Sequence, residues 1–246
     1  MKKHNWSRKV KWIFQGGGLV LAISLIYTLL LLSPSLVFAH TYEYEGFKVF
    51  SDRAISANIE IVLDDTRHRL QYSELYGGVD DFRIYICNDN WRFTLFTRNA
   101  SAGGVVNFVL SPNIFIREAN IDENEIVPPQ TWRHSLADRP LSYFIAHEAV
   151  HSLQRGYDPF LVLKYEPEII EGYADYIAKA PTFDMAKSIQ EYKKGASSMK
   201  SSSGLYDRYH LFVAYLMECE GFDFLEIVAK KPDLELTLSK LKNLEI

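Results

Sequence analysis

The polarity of the chain changes character twice. Residues 16–39 contain no charged side chain, and their apolar centre, Leu19 to Leu32, is closed by Ser33-Pro34-Ser35. From residue 40 to about residue 120 apolar positions fall in short alternating runs interleaved with helical spacings, and beyond residue 140 the helical spacing dominates. The pattern predicts a first strand over residues 42–50, on Phe47 and Val49, with Asp52 as the cap of the next helix. Ile55, Ile59, Val62, Leu63, Leu70 and Leu75 then predict a long amphipathic helix over residues 54–75, ended by Tyr76-Gly77-Gly78. Phe82, Ile84 and Ile86 read as a strand, Asn88 as the cap of a helix over residues 89–97, and Gly103-Gly104 as the opening of a strand over residues 105–110, with residues 113–116 returning beside it.

Residues 121–138 turn polar and proline-containing (Asp122-Glu123-Asn124-Glu125, Pro128-Pro129), the composition of a loop, and hold one lone histidine, His134. Pro140 fits the first turn of a helix over residues 141–154, whose Leu141, Phe144, Ile145, Val150 and Leu153 cover more than one face, as in a helix threaded through a core. Pro167 opens a second helix, and residues 184–194, 205–218 and 223–230 repeat the helical period. The predicted class is α+β: one domain over residues 40–246, with strands and helices mixed over 40–139 and helices over 140–246.

Composition changes this picture at the N-terminus. The 246 residues are 48% hydrophobic and 24% charged, ordinary globular material, but residues 1–11 carry Lys2, Lys3, Arg8, Lys9 and Lys11 without an acid. A basic flank before an uncharged run is an export or anchoring signal. We read residues 1–39 as a leader cleaved after Ala39, where Val37-Phe38-Ala39 offers small residues; the alternative is a spanning helix within residues 16–39 that anchors the chain to a membrane. Either way the remainder is expected outside the cytoplasm. It holds 22 basic against 31 acidic side chains, which argues against nucleic acid as a partner and for a solvated acidic surface. Cys87 and Cys219 lack CxxC spacing, so a thiolate metal site is disfavoured, and their apolar surroundings suit free cysteines better than a bonded pair.

The candidate chemistry lies in His147-Glu148-Ala149-Val150-His151. Histidines four apart on a helix project from one face, so both imidazoles can reach one zinc ion, while Glu148 is placed to take a proton from the water such an ion activates. A metzincin would continue to a third histidine, but Gln154 and Tyr157 stand at those positions. The third ligand must come from elsewhere, and Glu171, on the helix begun by Pro167, is the candidate, with Asp175 one turn on to hold the far nitrogen of a ligand histidine.

This layout resembles the gluzincin peptidases, which carry HExxH on one helix and a Glu ligand on the next, and Glu171-Gly172-Tyr173-Ala174-Asp175-Tyr176 is similar to the EGxAxY segment of the peptidase MA-like metalloproteases. The resemblance covers residues 140–178. It implies a zincin-like fold, zinc on His147, His151 and Glu171, Glu148 as general base, Asp175 behind the ligands, and a peptide or protein substrate. Glu168 stands where the family commonly has Trp, which makes it an alternative carboxylate. By resemblance and position, residues 105–109, centred on Asn107, are the edge strand that pairs with substrate, although an interior strand fits the pattern equally. Among Tyr206, Tyr209 and His210, Tyr206 is the expected oxyanion donor. Two other readings stay open: a metal-tied or inactive relative that only binds partners, and hydrogen-bonding histidines without metal. Substrate identity and oligomeric state leave no signal in the sequence.

Overall fold

The computed structural model describes residues 4–78, 81–108, 110–132, 136, 138–200 and 205–242, those from 4 to 14 by backbone alone. His134 and Val109 lie outside them. The architecture is mixed α+β, built on a small mixed sheet followed by helices.

An N-terminal helix, α1 (His4–Leu32), precedes a hairpin of β1 (His40–Tyr44) and β2 (Phe47–Ser51). The apolar pattern runs these two strands together. The break is Glu45-Gly46, with φ of 39° and 87°, the left-handed pair that a tight hairpin turn requires. The helix α2 (Ile59–Leu70) is shorter than the apolar spacing suggests and carries the chain to β3 (Phe82–Ile86), parallel to β2. Asp52 does not cap it. Its carboxylate instead accepts from the Asn88 backbone and side chain, at 3.0 and 2.8 Å, and pairs with Arg92 at 3.1 Å. The next helix, α3 (Asn90–Thr97), begins after Asp89 rather than Asn88 and leads to β4 (Gly104–Val106) and β5 (Ile114–Ile116). The strand order β1-β2-β3-β5-β4 places β4 at an edge, antiparallel to β5, while β5 runs parallel to β3.

Alternation along these strands gives the sheet two apolar faces. Val49, Ile84, Ile86, Ile114 and Ile116 point to the main core with α2 and α4 (Leu141–Tyr157), whereas Phe50, Tyr85, Cys87 and Phe115 point to a second cluster with Phe93 and Phe96 of α3. The loop between 116 and 141 contains a small hairpin, β6 (Ala119–Asn120) and β7 (Glu125–Ile126), which its polar sequence does not reveal. Pro140 serves as the cap of α4 rather than its first residue. A short α5 (Leu161–Lys164), then α6 (Pro167–Lys179), α7 (Met185–Lys193), α8 (Asp207–Ala214), α9 (Phe224–Lys230) and α10 (Leu234–Lys242) complete the helical half. The last is an addition to the helices expected from the apolar period. A Cβ on Gly172 would meet the Tyr209 backbone oxygen at 2.6 Å, so its lack of a side chain sets the close approach of α6 to α8. Both cysteines are free, Cys87 buried and Cys219 exposed.

Candidate metal centre

His147, Glu148 and His151 all belong to α4, which packs between α2, α6 and the β4–β5 corner of the sheet, so the polar motif is buried rather than solvated, each residue at 5–6% exposure. The helical spacing puts both imidazoles on the side facing α6. There Glu171 meets them: its Oε2 lies 3.3 Å from His147 Nε2 and 3.4 Å from His151 Nε2. Among the described residues this trio forms a group able to hold a metal ion. Glu168, three residues earlier, is not part of it.

The spacing can be tested against the ion the motif suggests. Two ligands about 2.05 Å from one tetrahedral zinc lie roughly 3.3–3.4 Å apart, which is the separation of Glu171 from each imidazole. Two neutral imidazoles and a carboxylate also form a donor set characteristic of catalytic zinc, leaving a fourth position open. The residues fit the ion.

The electrostatics arise from burial and proximity. Burial works against protonated His151, yet the Glu171 carboxylate holds it up to about 9. Glu171 is in turn held well below the usual carboxylate range, the imidazoles outweighing its own burial. Burial pushes Glu148 up, against the pull of both histidines and of the Val106 backbone beside it. The glycine at 104 makes this contact possible, because a Cβ there would lie 2.6 Å from Glu148 Cγ.

The support of the ligands differs from the one expected. Asp175, fully buried, reaches neither ligand histidine: it accepts from the Tyr143 hydroxyl and from His210 Nδ1 at 3.1 Å and faces Lys179 at 3.3 Å, joining α4, α6 and α8. The far nitrogen of His151 goes to Gln154 instead. Nδ1 lies 2.8 Å from the Gln154 Oε1, while the Gln154 Nε2 donates to the Ile170 carbonyl at 3.1 Å. With its amide fixed by that carbonyl, Gln154 presents an acceptor, so the proton of neutral His151 sits on Nδ1 and the Nε2 lone pair faces Glu171. A polar side chain at 0% exposure three residues after a motif histidine is the signal that identifies it. The far nitrogen of His147, also buried, has no hydrogen-bond partner among the described residues.

Tyr206 does reach the site. Its ring stacks on His147 at 5.6 Å between centroids, 8° from parallel; burial, ahead of the nearby Glu171 and Glu148 carboxylates, raises its pKa far above the usual value. His210 does not, being held behind the site by Asp175. Asn107 falls just beyond β4, in a turn where its Oδ1 accepts from the Leu110 N–H at 3.2 Å and its carbonyl from the Ser111 N–H at 3.1 Å. The edge strand is therefore Gly104–Val106, not a run centred on Asn107.

A cleft of about 500 Å³ opens over these groups, walled by residues 101–106 on one side and by Arg139, Tyr143 and Tyr206 on the other. Trp132, stacked on Phe144 and donating to the Ser101 carbonyl at 2.9 Å, closes one end. Its volume and mixed lining are those of an ordinary ligand site. No known protein family matches the chain, and no curated protein is similar to it.

Proposed function

We propose that the chain is a zinc-dependent peptidase of the gluzincin type, in a zincin-like fold, acting on peptide or protein substrates outside the cytoplasm. The observation that carries this reading is the convergence of His147 Nε2, His151 Nε2 and Glu171 Oε2 at zinc-ligand separations, with the Glu148 carboxylate buried beside them in the same cleft. Zinc held there would polarise a scissile carbonyl and lower the pKa of water to about 7.

The chain's own groups do the rest. Glu148, its pKa raised by burial, takes the proton of the attacking water and returns it to the leaving amine. The Val106 backbone lies beside that carboxylate, and Gly104 gives it room. Gln154 keeps the His151 ring in the tautomer that leaves Nε2 free. Tyr206, stacked over His147 with its proton retained, supplies the donor for the charge that develops on the carbonyl oxygen, a contribution of about 3 kcal/mol at such sites. The β4 edge offers main-chain groups to an extended substrate over three residues, which suits broad rather than sequence-strict recognition.

Glu148→Gln tests the reading. Zinc measured by elemental analysis should remain near one per chain, while chelator-sensitive cleavage of an unfolded protein falls by orders of magnitude. Full cleavage by that variant refutes the mechanism, and zinc without any cleavage by the unmodified chain leaves a metal-tied scaffold.

A further inference from the structure

The second face of the sheet is only partly covered by α3. The rest is covered by the segment that the sequence marks for removal. Leu31 and Phe38 are each 7% exposed and lie in one cluster with Phe50, Tyr85, Phe96 and Phe115. The Phe38 ring sits 5.2 Å from that of Tyr85 and 5.7 Å from that of Phe96. Polar groups tie the same segment down. The Tyr27 hydroxyl donates to the Leu95 carbonyl at 2.6 Å, and Arg92 Nη1 donates to the Val37 carbonyl at 2.7 Å. Cutting after Ala39 would strip two buried apolar side chains from the sheet and bare the aromatic rings beneath them. A disposable leader has no use for such complementarity.

We propose that residues 1–39 are retained as a permanent membrane anchor, and that residues 27–38 are a structural part of the folded domain, seating it on the bilayer surface. The partner of the remaining face of α1 is lipid. Leu19, Val20, Leu21, Ile23, Leu25, Ile26 and Leu29 are 56–72% exposed, and the apolar run Gln15–Leu32 is 18 residues long with a mean hydropathy of 1.9. At about 1.5 Å per residue it nearly matches a hydrocarbon core of about 30 Å. Tyr27 lies some 7–8 Å of helix rise before Leu32, so α3, which it contacts, meets the outer end of that run. The side chains around that point suit the position: Leu36 and Trp91 are 84% and 60% exposed, Arg92 stacks on Trp91 and Arg98 on Tyr27. The anchor is independent of the zinc site.

The full chain, expressed with a C-terminal tag and separated into membrane and soluble fractions, decides it. The expected result is an intact mass that includes residues 1–39, in a membrane fraction resistant to alkaline carbonate and released by detergent. A chain beginning at His40, or one washed off by carbonate, overturns the proposal. Hydrogen exchange on the detergent-solubilised chain gives a second reading: residues 33–39 should exchange as slowly as α3, and exchange at the rate of free coil overturns the packing. Phe38→Ala should lower the melting temperature of that chain by several degrees while Leu36→Ala leaves it unchanged; equal effects also overturn it.

Discussion

The two motif histidines depend on side chains that the motif does not name. Gln154 bridges His151 and the Ile170 carbonyl, so Gln154→Leu should leave the fold intact but weaken zinc binding about 10- to 100-fold, measured by competition with a chromophoric chelator. Tyr206→Phe removes the hydroxyl yet keeps the ring on His147; turnover should fall about 100-fold at constant zinc content, and unchanged turnover removes Tyr206 from the chemistry. His147, Glu148 and His151 are legible in the sequence because their spacing is fixed by the helical repeat, and Glu171 because the EGxAxY-like segment that holds it follows on the next helix. The role of Asp175 is not, because spacing places a residue on a helix face without saying which neighbour that face meets. Here the neighbours are Tyr143 and His210.

Among the elements, α6 does two tasks, holding Glu171 toward α4 and packing against α8 through Gly172. Gly172→Ala places a methyl 2.6 Å from a backbone oxygen, a contact that forces the two helices apart and should cost about 1–3 kcal/mol in urea denaturation, with a loss of zinc as Glu171 shifts. The Asp175 network locks the same pair of helices. Burial opposes the Asp175 charge, but Lys179, His210 and Arg139 outweigh it and hold its carboxyl well below the usual range. The unfolded chain, where an Asp titrates near pH 4, therefore takes up this proton first, and the stability is present above about pH 4–5 and lost as pH falls toward the folded value. The urea midpoint should drop between about pH 5 and 3, and Asp175→Asn should start lower and flatten that slope. The helices are legible where apolar period and a leading proline agree, as for α6. The hairpin at Glu45-Gly46 is not, since Glu is an unusual residue at positive φ. Nor is the true end of β4, which is decided by pairing with β5 rather than by local preference.

At the scale of the whole molecule, the α+β class and the division near residue 140 are legible in the change of apolar period, but the strand order is not, because pairing joins segments far apart in the chain. The uncharged N-terminal run is recognisable as one long apolar helix, whereas its share in the sheet's second face is visible only in three dimensions, where Leu31 and Phe38 find Phe50 and Phe115. That packing has a consequence for how the cleft meets its substrates. Residues 33–39, which join α1 to β1, are folded against the body of the protein, and Ala102 and Val105 of the cleft wall touch the same cluster. Such a domain has no slack tether with which to sweep the surrounding solution. With residues 1–39 seated in a bilayer as proposed, its reach would be its own height above the lipid, so encounters would reduce to lateral diffusion in a plane, and polypeptides confined to that plane would meet the cleft far more often than those free in bulk.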